Sequence, residues 1–139
     1  MNTDVSGFDS EGYVVIELLI SDDIIAEIEG HLDSKSQGAA GTRNLLDKQW
    51  CKQLSHVIAA TPLIAKLLPE SAVAIQCTYF RKSVERNWLV PLHQDYVIPV
   101  KKRFTASDWS MWSIKEGVNY ARPPISVLET VVAVRVHLE

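Results

Sequence analysis

The hydrophobic pattern of this chain changes period at Pro69, and that change constrains the fold more than any other feature. From Ser21 to Pro69 apolar residues recur at helical spacing; beyond it, runs rich in β-branched residues dominate. Helices gathered ahead of strands do not make the repeated βαβ units of a parallel nucleotide-binding sheet, so the pattern points to an α+β fold. No internal repeat or low-complexity tract breaks this order, and residues 1–139 read as a single domain. At 139 residues and 47% apolar composition, the chain is long enough to bury roughly two thirds of its unfolded surface around one core.

Gly12-Tyr13-Val14-Val15-Ile16 reads as a short strand opened by a glycine. Ser21 then caps a helix with Asp22 and Asp23 in its first turn, where carboxylates suit the positive end of the dipole. Its apolar stripe is Ile24, Ile25, Ile28 and Leu32, and His31, near the helix end, is read as structural. Residues 34–42, with Gly38, Ala39, Ala40 and Gly41, read as a flexible loop; no strand precedes them and no Lys-Ser/Thr follows, so they are not a phosphate cradle. A second helix carries Trp50, Leu54, Val57 and Ile58, with His56 off the stripe and at the surface. Thr61-Pro62 restarts a helix in the N-cap and N1 positions, bearing Leu63, Ile64, Leu67 and Leu68 until Pro69 ends it.

Beyond Pro69, residues 72–80 read as a buried strand, 83–87 as a polar loop and 88–92 as an extended run in which Pro91 fits only an edge or bulge. Residues 96–119 give no clear element, although Trp109 and Trp112 are spaced as in a helical turn or a loop packed on the core. Pro123-Pro124 forces an extended or turn segment, and 131–138 closes the chain as a strong strand.

A formal charge of −3 argues against nucleic acid as the main partner, because phosphate binding needs a basic face. The N-terminus has no basic and apolar signal pattern, and the longest apolar stretch, 13–20, is interrupted by Glu17 and too short to span a bilayer. A cytoplasmic location with no membrane partner is expected. Cys51 and Cys77 lack CxxC or Cys/His spacing and are read as reduced, buried small residues rather than a disulfide. Two basic clusters, Arg81-Lys82 with Arg86 and Lys101-Lys102-Arg103, flank the most informative tripeptide of the chain. They read as solvated loop charges or as cations that draw an anionic small-molecule substrate to a pocket.

That tripeptide is His93-Gln94-Asp95. In an extended segment residues i and i+2 leave the same face, so an imidazole and a carboxylate can reach one metal ion. They would supply two of the three ligands of the 2-His-1-carboxylate triad that holds non-haem Fe(II) with open positions. The competing reading is a core histidine satisfied by Asp95 or a backbone carbonyl, with no metal.

The segments 12–16 and Ser21-Asp22-Asp23-Ile24, then Asn87-Trp88-Leu89-Val90-Pro91-Leu92-His93-Gln94-Asp95, then Trp112-Ser113-Ile114-Lys115-Glu116-Gly117-Val118 with Pro123-Pro124, and the closing Val134-Arg135-Val136-His137-Leu138 together resemble the phytanoyl-CoA dioxygenase family of Fe(II)- and 2-oxoglutarate-dependent oxygenases. The resemblance implies a mainly β fold, a double-stranded β-helix or jelly roll with N-terminal helices outside its major sheet. It implies Fe(II) and 2-oxoglutarate as cofactors, His93 and Asp95 as metal ligands, and Gln94, Arg135 and Thr78 beside the cosubstrate. Trp88, Tyr96, Trp109 and Trp112 are candidates for an apolar wall, or core residues.

In that family the distal His, and the Arg that pairs with the 2-oxoglutarate carboxylate, lie beyond the strand that ends this chain. The resemblance therefore covers an N-terminal portion, with a jelly roll incomplete at its C-terminus, and weak or no activity is expected of the 139 residues alone. His137 shares a face with Arg135, but similar strand ends in the family carry such a His in addition to the distal one. A non-catalytic binding or interaction module, or a half-domain completed by another chain, is the alternative expectation. An incomplete sheet leaves edges that recruit a complementing C-terminal chain or self-associate.

Overall fold

The computed structural model describes residues 5–17, 19–33, 41–81, 84, 87, 89, 91 and 93–138. Helices and two small antiparallel sheets make up the architecture. The helices are α1 (Phe8–Glu11), α2 (Asp22–Asp33), α3 (Gln49–Ala59), α4 (Pro62–Ala65) and α5 (Ile125–Leu128), with a 3-10 turn at Leu45–Asp47. One sheet pairs β1 (Gly41–Thr42) with β2 (Tyr79–Phe80). The other places β5 (Val118–Arg122) between β3 (Ile98–Val100) and β4 (Ser110–Lys115).

The helices arise where the apolar spacing placed them. The Ser21 carbonyl accepts the first bond of α2 from the Ile25 amide at 3.0 Å, with Asp22 and Asp23 in the first turn. Ile28 and Leu32 are buried along its stripe. Thr61 is the N-cap of α4 and Pro62 opens it; the helix stops at Ala65, shorter than the run to Pro69. Ile64 is buried. In α3 the side chain sealed most completely is Cys51, 1% exposed, while Val57 on the expected stripe is half exposed. His31 stacks flat on Trp50, ring centroids 4.7 Å apart and 9° between planes, so this histidine joins α2 to α3.

Gly12 does not open a strand. It ends α1 in the left-handed region at φ 77°, where its amide donates to the Phe8 carbonyl at 2.9 Å, a glycine helix stop. Residues 13–16 join no ladder among the described residues, and Tyr13 and Val15 stay exposed. The loop expected over 34–42 ends instead in β1; residues 34–40, with Gly38, Ala39 and Ala40, lie outside the described residues. The buried strand expected over 72–80 shrinks to β2 and one parallel bridge, Asn44 to Cys77. Residues 72–76 are exposed, Val73 to 78%. The strand expected over 131–138 also joins no ladder among the described residues, and Val131 and Val134 are 44% exposed. In both segments β-branched residues supply propensity, but ladder formation needs a partner strand, and the described residues provide none. The extended run 88–92 and the loop 83–87 fall mostly outside the described residues.

The three-stranded sheet occupies 96–119, where no clear element was expected, together with β5. Lys115 pairs with Val118 around the two-residue loop Glu116-Gly117, and both loop residues have positive φ, 50° and 81°. A type I′ hairpin turn requires that backbone. Between Ser110 and Ser113 the register slips and Met111 takes φ 52°, a bulge that lengthens β4 against β5. Tyr120 and Ala121 on the central strand are 3% and 0% exposed and form the β half of the core. Phe104 meets Trp109 and Trp112 edge to face, at centroid separations of 4.9 and 5.2 Å.

A polar clasp ties the two sheets together at the hairpin tip. One Glu116 carboxylate oxygen accepts the Thr42 hydroxyl at 3.0 Å and the Arg43 amide at 3.1 Å, and the other accepts the Arg43 guanidinium at 3.2 Å. The Asn44 side-chain amide donates to the Glu116 carbonyl at 3.0 Å. These donors hold the Glu116 carboxyl below its ordinary value, the Arg43 amide most strongly, then the Thr42 hydroxyl; desolvation opposes them, and the guanidinium adds a smaller lowering.

Candidate functional site

His93, Gln94 and Asp95 precede β3 and join no ladder themselves among the described residues. The imidazole and the carboxylate nevertheless turn toward each other, with His93 Nε2 3.9 Å from Asp95 Oδ1. His93 Nδ1 lies 2.8 Å from the Pro91 carbonyl oxygen. A carbonyl only accepts, so Nδ1 carries the proton of that bond. In the neutral ring Nε2 then presents a lone pair, and it faces a carboxylate. Both atoms are of a type that can ligate a cation.

This is also the arrangement in which metal-bound histidines are held, one nitrogen donating to a backbone carbonyl while the other is left to ligate. Two cis ligands at about 2.1 Å from one octahedral ion sit about 3 Å apart. The observed separation is 3.9 Å, and the Asp95 side chain is 94% exposed. The pair thus brings two groups of ligating type near one another, at a spacing wider than a shared ion would set. Among the described residues no group of three His, Cys, Asp or Glu side chains is arranged to hold an ion.

The core-histidine reading does not hold in its original form. The His93 side chain is 54% exposed. It is satisfied by a backbone carbonyl, as that reading supposed, but at the surface. Gln94 is exposed between the two. Thr78 accepts the Gln76 side-chain amide at 2.7 Å and lies one residue before β2. Arg135 is exposed in 131–138, as is His137. No described hydrogen bond or ion pair joins Thr78, Gln94 or Arg135 to the His93–Asp95 pair.

Of the aromatic candidates, Trp109 and Trp112 belong to the Phe104 cluster, and Trp88 lies outside the described residues. Tyr96 lies under the Arg122 guanidinium at 5.5 Å. Lys101, Lys102 and Arg103 are exposed just beyond β3, and Arg103 sits 5.6 Å over the Trp112 ring. Lys82 and Arg86 lie outside the described residues.

The clasp on Glu116 went unnoticed in the sequence. Its only local signal was the Glu-Gly pair that makes the turn, and its partners Thr42, Arg43 and Asn44 lie more than seventy residues away. No helix among the described residues is long and apolar enough to cross a membrane. No family model, curated protein or solved structure matches the chain.

Proposed function

We propose that the chain belongs to the Fe(II)- and 2-oxoglutarate-dependent dioxygenases of the phytanoyl-CoA dioxygenase type, with a jelly-roll portion bearing the proximal half of the metal site. One observation carries this reading: a carbonyl-anchored imidazole whose free nitrogen faces a carboxylate two residues on. His93 and Asp95 would hold the ion, and Gln94, Thr78 and Arg135 are the residues assigned to the cosubstrate. Iron with 2-oxoglutarate supplies oxidising power toward a substrate C–H bond. The protein's share is to anchor His93 Nδ1 on Pro91, which fixes the ring's orientation and presents Nε2, and to supply a carboxylate that lowers the charge of the ion. The third ligand is not among the described residues, so weak metal affinity and low activity are the expected behaviour of these residues alone.

Anaerobic titration with Fe(II), or with Mn(II) as its redox-stable substitute, tests the pair. Asp95→Ala and His93→Ala should each weaken binding by about tenfold or more, the order seen when supporting groups of metal sites are removed. Equal affinity in wild type and Asp95→Ala would leave the histidine a surface residue sharing a proton with its neighbour. Succinate formation from 2-oxoglutarate should be slight, and robust turnover abolished by His93→Ala would overturn the prediction of low activity.

A second reading is favoured by the 94% exposure of Asp95 and by the apolar segments 72–76 and 131–138 that join no ladder among the described residues. It is a non-catalytic binding or interaction module, or a half-domain completed by another chain. Exposed Val73, Ile75, Val131 and Val134 make association the expected result. A single monomeric species in size exclusion across a hundredfold range of concentration argues against it.

A further inference from the structure

We propose that residues 72–76 are a self-pairing edge, which joins the same segment of a second copy of this chain as antiparallel strands across a two-fold axis at Ala74. The proposal rests on the association reading above and names its partner and register. The segment leads into a strand that is already paired on one side: Cys77 bridges Asn44, and Tyr79 and Phe80 of β2 face Thr42 and Gly41 of β1. It starts from a turn in which the Ala72 amide donates to the Pro69 carbonyl at 2.9 Å. Between turn and bridge, 72–76 is exposed at every residue and joins no ladder among the described residues. An unpaired run in line with a paired one offers its backbone groups to another chain. The three-stranded sheet shows the contrast of guarded edges. Its outer strands are β3, which holds Pro99, and β4, which slips register between Ser110 and Ser113 and ends in Lys115. Proline, a bulge and lysine all discourage edge pairing. Residues 71–80 contain no proline, no glycine and no charge, the composition of strands that pair with their own kind.

The register identifies the occupant. In an antiparallel pair centred on Ala74, the alanine meets its own copy, Val73 meets Ile75 on both sides of the axis, and Ala72 meets Gln76. In extended backbone Val73 and Ile75 leave one face, so the β-branched side chains of both copies gather there in a single cross-strand cluster. Gln76 leaves the other face, where its amide already donates to the Thr78 hydroxyl at 2.7 Å. Farther out Glu70 meets Thr78, so no like charges stand opposite one another. The segment 131–138 also joins no ladder among the described residues, but it carries Arg135, and the uncharged 72–76 has no carboxylate to answer it.

The test is sedimentation of the full chain over a wide range of concentration, at low ionic strength where charges are least screened. Wild type should show a monomer–dimer equilibrium. Ala74→Lys and Ala74→Glu each set like charges across the axis and should raise the dissociation constant about fivefold or more; their equimolar mixture should restore the wild-type value, because lysine then faces glutamate. Position 74 is exposed in the single chain, so its fold does not depend on the alanine. Hydrogen exchange of wild type needs no variant: the amides of 73–75 should exchange more slowly at high concentration than at low. A wild type that stays monomeric throughout sinks the association reading and the proposal together. A dimer that neither charge weakens, and whose 73–75 amides exchange freely, keeps association and overturns this surface. Variants that dissociate but do not recombine on mixing overturn the two-fold register, and growth beyond the dimer overturns the closed pair.

Discussion

Among the described glycines, replacing Gly41 with alanine should be the most damaging. Gly41 has φ +141°, a region that L residues rarely enter, and a Cβ built on it overlaps the Tyr79 carbonyl oxygen and lies 2.9 Å from the carbonyl carbon. Both contacts are backbone, so no side chain can swing aside to make room. The strained φ costs about 1–3 kcal/mol. Relief of the overlap means separating β1 from β2, and each ladder bond lost adds about 1 kcal/mol. The sum, on the order of 2–4 kcal/mol, is a large share of the stability of roughly 5–15 kcal/mol that a domain has.

Two other glycines calibrate this value. Gly117 has φ +81° with open space around its Cβ position, so Gly117→Ala should cost only the backbone strain, about 1–2 kcal/mol. Gly30 sits in α2 with nothing within 4 Å, and Gly30→Ala should stabilise by roughly 0.5–1 kcal/mol through helix propensity. Urea unfolding of the three variants reads the series from midpoints at constant slope. A Gly41→Ala stability within roughly 0.5 kcal/mol of wild type, the limit for a neutral surface change, or a cost no greater than that of Gly117→Ala, would mean that position 41 accepts a Cβ without strain.

Acid and alkali should probe different parts of the fold. The clasp lowers the folded value of Glu116 below its unfolded one, so its contribution is present above the ordinary carboxylate range and is lost as pH falls through the folded value. Thermal midpoints measured from pH 6 downward should therefore fall less steeply in Glu116→Gln than in wild type, and parallel acid limbs would remove Glu116 as their source. Cys51 runs the other way: burial first, and then the neighbouring Cys77, push its thiol up to about 12 from 9.0. Its contribution is complete below pH 9.0 and is lost as pH rises toward 12. Cys51→Ala should flatten that alkaline limb, leaving the smaller part due to Tyr120, whose hydroxyl burial also raises.

The helices were legible because their evidence is local. Ser21, Asp22 and the isoleucines of α2, or Thr61-Pro62 before α4, declare a helix within one or two turns. The β part was not, for two different reasons. In the β4–β5 hairpin the alternation is broken by the bulge at Met111, and the turn is made by Glu116-Gly117 rather than by the more recognisable Asn-Gly or Asp-Gly. In 72–76 and 131–138 the residues announce strand propensity but say nothing about a partner. The approach of His93 and Asp95 followed from their spacing, and the Pro91 carbonyl that fixes the tautomer did not. That bond depends on a backbone direction no residue pattern encodes.

The turn at residues 116 and 117 answers to two masters. Asparagine or aspartate at position 116 would suit the left-handed backbone better than glutamate does, and a designer choosing residues for the hairpin alone would make that change. A shorter side chain would not carry its oxygens as far toward Thr42 and Arg43, so the hairpin would gain while the seam between the two sheets came undone. Optimising this loop by local statistics is thus a route to a protein whose parts are individually sturdier and collectively looser.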